Sequence, residues 1–486
     1  MEALDRADFF RRTGALALAA RVRARADLPS PLGELQRDIS GIVVASTSSS
    51  YERAKLLYNT RFDAFRPLAV VYCASVADVQ RTIGWSRRHA IRIAPRAGGH
   101  SYGGYSSVPG GVVVDVSRLA QVLPRAAHQA SVGAGARLID VYAGLWQHGV
   151  TIPAGSCASV GIGGQVLGGG IGFLSRKLGT TSDNLLQLTL VTADGQARTC
   201  SAHENADLYW ASCGGGGGNF GVATGFTFRT TPVSTVSTFT AEWPWAQAKA
   251  VIAAWQAWAP HAPDELFSVC NLSSGGGAPA VRAVGQLVGS AGRLHALLGP
   301  LVSTGAPGRV TVKERSYLEA VGYWAGCGPV SECHLEPFGK LARATFAAKS
   351  DYVARPLPSA ALRTIVAAIE RAPGSGSLLL DSYGGALNRV PGAATAFVHR
   401  DALCSLQYLA YWSGAQSAAN LGWLRSFSAA MRPYVSGESY VNYIDPDLAG
   451  RPQAYYGENL RRLVSIKRRY DPDDVFRFAQ SIPLHV

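Results

Sequence analysis

Between residues 31 and 235 the chain alternates short β-branched runs with stretches of helical periodicity. Val70–Cys73 is one such run, and Val76–His89 repeats its apolar positions every three to four residues, as a helix with one buried face does. Ile91–Ala94 and Val112–Val116 read as further strands. Leu185–Thr192, the turn pair Asp194-Gly195 and the return Ala197–Cys200 predict a hairpin. Composition shifts near Thr231–Thr240, and from 236 to 435 longer helical patterns (Ala246–Trp258, Ala360–Arg371) mix with strands (Ser377–Asp381, Leu403–Tyr411). That mixture predicts an antiparallel sheet backed by helices. A last segment, 436–486, carries a helix from about Tyr456 to Tyr470 that stops at Asp471-Pro472, then Phe476–Ile482. The expected class is α+β rather than a doubly wound sheet. At 486 residues the chain should form two or three domains, after a separate segment at 1–30.

Charge and cysteines narrow the function classes. The formal net charge is +13, but the basic residues are scattered, and the densest groups, Arg21-Val22-Arg23-Ala24-Arg25 and Lys467-Arg468-Arg469, lack interleaved aromatics. This is a solvated basic surface, compatible with an anionic substrate or a cofactor diphosphate, and no nucleic-acid partner is expected. No apolar run approaches the roughly 20 residues that span a bilayer. The eight cysteines contain no CxxC pair and no metal-ligand spacing, so no metal is expected. Only Cys327 and Cys333 are close enough in sequence for a small disulfide loop, and plain buried thiols fit them equally well.

Two reactive side chains stand in glycine-rich loops: His100 in Arg96-Ala97-Gly98-Gly99-His100-Ser101-Tyr102, and Cys157 in Gly155-Ser156-Cys157-Ala158-Ser159-Val160-Gly161-Ile162-Gly163-Gly164-Gln165. Alone, the first is an ordinary loop histidine and the second ordinary core filler. Their surroundings change that. The Arg96–Ser101 loop follows a strand, so successive N–H groups can form an anion nest, and dense glycine lets backbone approach a flat ligand closely. A third stretch, Gly216-Gly217-Gly218-Asn219-Phe220-Gly221, formally matches GxGxxG with Glu242 about 20 residues on. It follows a helical pattern (Glu204–Ser212) and precedes a strand (Val222–Thr230), the reverse of the nicotinamide-binding order.

Together the two loops resemble the flavin-attachment sites of berberine-bridge-enzyme-like oxidases in the vanillyl-alcohol-oxidase superfamily. The tail is similar too: Tyr440-Val441-Asn442-Tyr443-Ile444-Asp445, Tyr455 to Leu463, Asp471-Pro472-Asp473-Asp474-Val475-Phe476 and Gln480-Ser481-Ile482-Pro483. The likeness runs from about residue 45 to the end and is weakest from 236 to 375. It implies a two-part FAD-binding domain (31–235, completed by 436–486) with a substrate domain at 236–435. It also implies FAD bonded covalently to both His100 and Cys157. Arg96, Ala97, Gly98, Gly99, Ser101, Gly155, Val160, Gly161, Gly163, Gly164, Gln165, Gly221, Val222, Asn442, Tyr443, Asn459 and Gln480 would contact the cofactor. Val160 matches the position whose valine admits oxygen to the flavin. Gln165 departs from relatives that place a histidine there, which changes the local electrostatics.

The resemblance further implies Tyr443 as base and Asp381 as its acid partner, both on sheet segments facing the ring, with Tyr383, Tyr440 and Gln407 shaping the pocket. Gln407 stands where amine-oxidising relatives carry a glutamate, which points to alcohol or hemiacetal substrates. The expected reaction is oxidation of a sugar or natural-product alcohol, with O2 reduced to H2O2. Oxidative cyclisation or desaturation of a secondary metabolite is the enzyme alternative, and a basic binding protein is the non-enzyme one. Asp5 to Ala20 resembles a twin-arginine export signal with Ala7 where a second arginine belongs, and an amphipathic helix on a cytoplasmic enzyme fits the same residues.

Overall fold

A computed structural model describes residues 30–275 and 277–485. The export-signal reading lies outside the described residues. The first sheet contains β1 (Ile42–Ala45), β2 (Ala69–Tyr72), β3 (Ile93–Arg96) and β4 (Val112–Asp115) in the order β1-β2-β4-β3. β2, β4 and β3 run parallel, joined through the amphipathic helix Val76–Arg88, whose N-terminus is capped by the Ser75 side chain. The second sheet is antiparallel, ordered β5 (Val122–Arg125), β6 (Gln129–Gly133), β10 (Val222–Arg229), β8 (Leu185–Val191), β9 (Ala197–Ser201). A separate two-stranded ladder pairs β7 (Val150–Thr151) with β11 (Thr231–Pro232). The expected hairpin is present, with Val191 facing Ala197 and Gly195 at a φ of +78°.

The third sheet is entirely antiparallel. Its seven strands are β12 (Thr235–Trp243), β13 (Leu266–Ser273), β14 (Ala280–Leu287), β15 (Arg309–Ser316), β16 (Phe346–Val353), β17 (Ser375–Ser382) and β18 (Cys404–Tyr411), in the order β15-β12-β14-β13-β17-β18-β16. Helices Ala248–Trp258, Ala291–Val302, Ser359–Glu370 and Ser417–Met431 cover one face and share a core with it. Its other face is left for a cavity. β12, β13, β14, β15 and β16 were not individually legible in the sequence.

The C-terminal segment packs into the core of the first two sheets through Tyr455, Tyr456, Leu463, Val464 and Phe476. The single helix expected over Tyr456–Tyr470 is broken: Gly457, at a φ of +47°, separates Gln453–Tyr456 from Leu460–Tyr470. The latter helix is pinned by Lys467, fully buried, whose ammonium bonds Asp471 at 2.6 Å and the carbonyls of Asn219 and Phe476. Cys327 and Cys333 form a disulfide. No described helix is long and apolar enough to cross a membrane.

Candidate active site

The two loops singled out in the sequence touch each other. His100 follows the end of β3, and Cys157 lies between β7 and the helix Ile162–Leu167. A Cβ at Gly98 would stand 2.2 Å from the Gly161 nitrogen, and one at Gly161 only 2.3 Å from the Gly98 nitrogen. These glycines therefore serve contact between two backbones, and a Cβ at Gly163 would likewise meet the Ala134 carbonyl oxygen at 2.7 Å. Open space for a flat ligand exists at Gly164, where nothing lies within 4 Å of a Cβ.

Both loops face a cavity of about 1050 Å³ whose opposite wall is the open face of the third sheet. The His100 ring stacks on Tyr58 at 4.1 Å, and its Nε2 shares a hydrogen bond with Ser159 Oγ at 3.1 Å. Nδ1 has no hydrogen bond among the described residues. Burial, reinforced by the Arg137 guanidinium, pushes the His100 pKa down to about 3, so the imidazole stays neutral. Cys157 lines the cavity and is open to it, and desolvation by the surrounding protein pushes the thiol pKa up.

The residues present fit FAD. None of the backbone N–H groups of residues 98–103 donates to a backbone carbonyl among the described residues, and Gly99 turns there at a φ of +70°. Such a run of free donors suits a diphosphate. Both amide atoms of the buried Gln165 also lack a partner, leaving one donor and one acceptor for a heterocycle edge. At the far end, Gly216, Gly217, Gly218, Gly221 and Val222 line the cavity. As expected, this third glycine stretch follows a helix (Ala206–Ser212) and precedes β10.

Asp381, on β17, and Tyr443 line the same cavity. Burial raises the Asp381 pKa to about 6, with a Ser405 Oγ contact at 3.4 Å opposing it. Burial also pushes the Tyr443 phenol well above its ordinary range, and the nearby Asp381 charge pushes it further. Tyr443 is not on a strand: it ends the short turn Val441–Tyr443. Its ring stacks on Tyr102 at 5.3 Å, and Gln407 Nε2 donates to the Tyr102 hydroxyl at 2.9 Å. Tyr102, Tyr58 and Ser159 were missed as site residues, although Tyr102 and Ser159 stand in the two loops and each is two positions from the reactive side chain.

Arg96, Ala97, Ser101, Gly155, Val160 and Asn442 also line the cavity. Arg96 is neutralised by Asp115 at 2.5 Å, and Asn442 donates to the Gln165 carbonyl at 2.9 Å. Three expected residues do not line it. The Asn459 amide donates to the carbonyls of Gly392 and Thr395. Gln480 bonds the Asp445 carbonyl and receives the Tyr105 hydroxyl. Tyr383 is buried among Tyr352, Leu387 and Phe397, with its hydroxyl on that of Tyr352. Tyr440 does reach the cavity, but its hydroxyl is taken by the Gly170 and Asn442 N–H groups.

Comparison with known proteins agrees with this arrangement. Residues 67–201 match the FAD binding domain family, and residues 439–483 match the family described as berberine and berberine like. The uncharacterized FAD-linked oxidoreductase YgaK of Bacillus subtilis is 35% identical, over 92% of this chain and 97% of its own. The structure of Physcomitrella patens BBE-like 1 superposes with a TM-score of 0.87 at 33% identity, over 94% of this chain and 99% of that one. A chitooligosaccharide oxidase does so with a TM-score of 0.85 at 27% identity, over 93% and 99%. The α+β fold, an FAD-binding part joined to an antiparallel sheet backed by helices, is the one these structures share. The chain belongs to the berberine-bridge-enzyme-like family of FAD-linked oxidoreductases.

Proposed function

We propose that this enzyme is an alcohol oxidase that holds FAD covalently through both His100 and Cys157. The observation that carries the reading is one cavity lined by His100, Cys157, Tyr443 and Asp381 together. When bound, the flavin supplies the hydride acceptor and hands the electrons to O2. This chain's residues handle the proton. Tyr443 is a neutral phenol at rest, because burial and the Asp381 charge both disfavour a phenolate. As the substrate's hydroxyl proton moves to the Tyr443 oxygen, the phenol proton passes to Asp381, which is a carboxylate above about pH 6. A positioned pair of this kind contributes roughly 10²–10⁴-fold.

The substrate class is an alcohol or hemiacetal of a sugar or of a tailored natural product. Gln407 supports this reading, since its amide is spent on Tyr102 and offers no carboxylate base on β18. The likeness to a chitooligosaccharide oxidase favours sugars. Val160, on the cavity wall, favours oxygen as the acceptor. Acid-precipitated enzyme should stay yellow; His100→Ala and Cys157→Ala should each keep one link, and the double variant should release its flavin. Peroxide release should appear with a sugar or polycyclic alcohol and be lost in Tyr443→Phe. Full alcohol turnover in that variant would remove the assigned base, and a colourless acid pellet would remove the covalent cofactor.

A further inference from the structure

The two ends of the proposed proton relay come from separate parts of the chain. Tyr443 ends a turn of the C-terminal segment, and Asp381 stands on β17 of the third sheet. Asn442 ties the turn to the FAD-binding part through the Gln165 carbonyl. Its tie to the sheet is the edge strand β16, one strand beyond β18: Asp381 faces Ser405 of β18, which faces Tyr352 of β16.

Two consecutive residues of β16 grip the turn from both sides. Before it, the Tyr440 N–H donates to Ser350 Oγ at 3.0 Å, and the Ser439 hydroxyl donates to the Ser350 carbonyl at 2.9 Å. After it, Lys349 Nζ bonds Asp445 and Asp447, each at 2.7 Å. Neighbouring side chains leave a strand on opposite faces, so 439–447 wraps around this edge. Ser350 pairs with Gln407 on the cavity face, and Lys349 pairs with Tyr408 on the helix-covered face. Lys349, Ser350 and Asp445 are buried, and none of them lines the cavity. Arg425 holds Asp447 by two further bonds at 2.9 Å. Without Lys349, the Asp445 carboxylate keeps only the Asp447 N–H among the described residues.

We infer that Lys349 and Ser350 are positioning residues for the oxidation, clamping the turn that carries Tyr443 to the sheet that carries Asp381 and so fixing the gap the proton crosses. This rests on the Tyr443–Asp381 reading. A buried ammonium–carboxylate pair is a poor source of stability, since apolar residues of similar volume often serve as well, but it fixes register. Proton transfer needs partners within hydrogen-bond reach, and a misplacement of about 1 Å can cost about 10²-fold.

The test follows anaerobic flavin bleaching by stopped flow with glucose, cellobiose and cinnamyl alcohol in turn. Single turnover keeps slow variants measurable and separates the limiting reduction rate from half-saturation. Melting temperature and flavin content are recorded for each variant. Lys349→Met should reduce its flavin about 10- to 100-fold more slowly at unchanged half-saturation, and Lys349→Arg should regain most of the rate. Lys349→Met combined with Asp445→Asn removes both buried charges, so it should melt close to wild type yet stay as slow as Lys349→Met. Ser350→Ala should slow reduction in the same way. In a Tyr443→Phe background Lys349→Met should slow nothing further. A rate that returns with the melting temperature in the double variant, or an equal loss with and without the Tyr443 hydroxyl, would overturn the clamp and leave the Tyr443 reading intact. Tyr443→Phe reducing at the wild-type rate, or bleaching by none of the three alcohols, would overturn that reading and the clamp with it.

Discussion

The rings of Tyr102 and Tyr443 lie face to face, 5.3 Å apart and 14° from parallel, and the Tyr102 hydroxyl is held by Gln407 from β18. The stack joins the His100 loop to the C-terminal turn that carries the proposed base, so the orientation of Tyr443 depends on a residue two positions from His100. Such a stack is worth about 0.5–1.5 kcal/mol beyond the area it buries. Tyr102→Ala should therefore lower kcat about 2- to 10-fold, and Tyr102→Phe, which keeps the ring, should lower it less. In a Tyr443→Phe background the Tyr102→Ala loss should shrink, which a double-mutant cycle would register as coupling.

In the proposed proton relay Asp381 sets an acid limb. With its pKa raised to about 6 by burial, the acceptor carboxylate is lost as pH falls, so kcat/KM should rise through about pH 6 and level off above it. Asp381→Asn should flatten that limb while lowering activity. Stability moves the opposite way. Between the ordinary aspartate pKa of about 3.9 and about 6 the folded form binds more protons than the unfolded one, so this group's contribution is lost as pH rises through that window. The Asn variant should thus melt higher than wild type at neutral pH, as calorimetry can check.

Gly161 and Gly164 should separate folding from cofactor retention. An added Cβ at Gly161 would collide with the Gly98 nitrogen at 2.3 Å, so Gly161→Ala should lower the melting temperature and force apart the loops of His100 and Cys157. Gly164→Ala meets nothing within 4 Å in the protein and lies in a helix, where alanine is favoured. That variant should melt normally but retain less flavin, read from the absorbance of the purified protein.

Lys467 should be a stability residue. With Lys467 and Asp471 both inaccessible and the ammonium also bonded to the Asn219 and Phe476 carbonyls, Lys467→Met leaves the buried Asp471 carboxylate without its counter-charge, held only by the Val475 and Phe476 N–H groups. Removing one partner of a buried pair costs about 3–5 kcal/mol. Denaturant unfolding should show a loss of that order. Flavin content should fall as well, because the Asn219 carbonyl belongs to the glycine-rich stretch that lines the cavity.

The local elements that read clearly in the sequence were those set by short-range chemistry. The Ser75-capped helix Val76–Arg88 and the Asp194-Gly195 hairpin follow from capping, periodicity and turn residues, which act over a few positions. The His100 and Cys157 loops were equally legible, because a reactive side chain among glycines is a local pattern. β12 to β16 were not, because their alternation serves a sheet with helices on one face and a cavity on the other, and mixed polar and apolar residues face that cavity.

The sequence by itself determined the family, the FAD-binding loops and the pairing of Tyr443 with Asp381 as candidates, since each is carried by residue type in a short order. Only the tertiary structure decided which of the named residues meet. It spent the amides of Asn459 and Gln480 on backbone carbonyls, buried Tyr383 and brought Tyr102 against Tyr443. It also brought Lys349 and Ser350 of β16 against the two ends of the Tyr443 turn. The physical reason is that hydrogen-bond partners and strand register are fixed by contacts between segments up to hundreds of residues apart, and these leave no local signature in the chain.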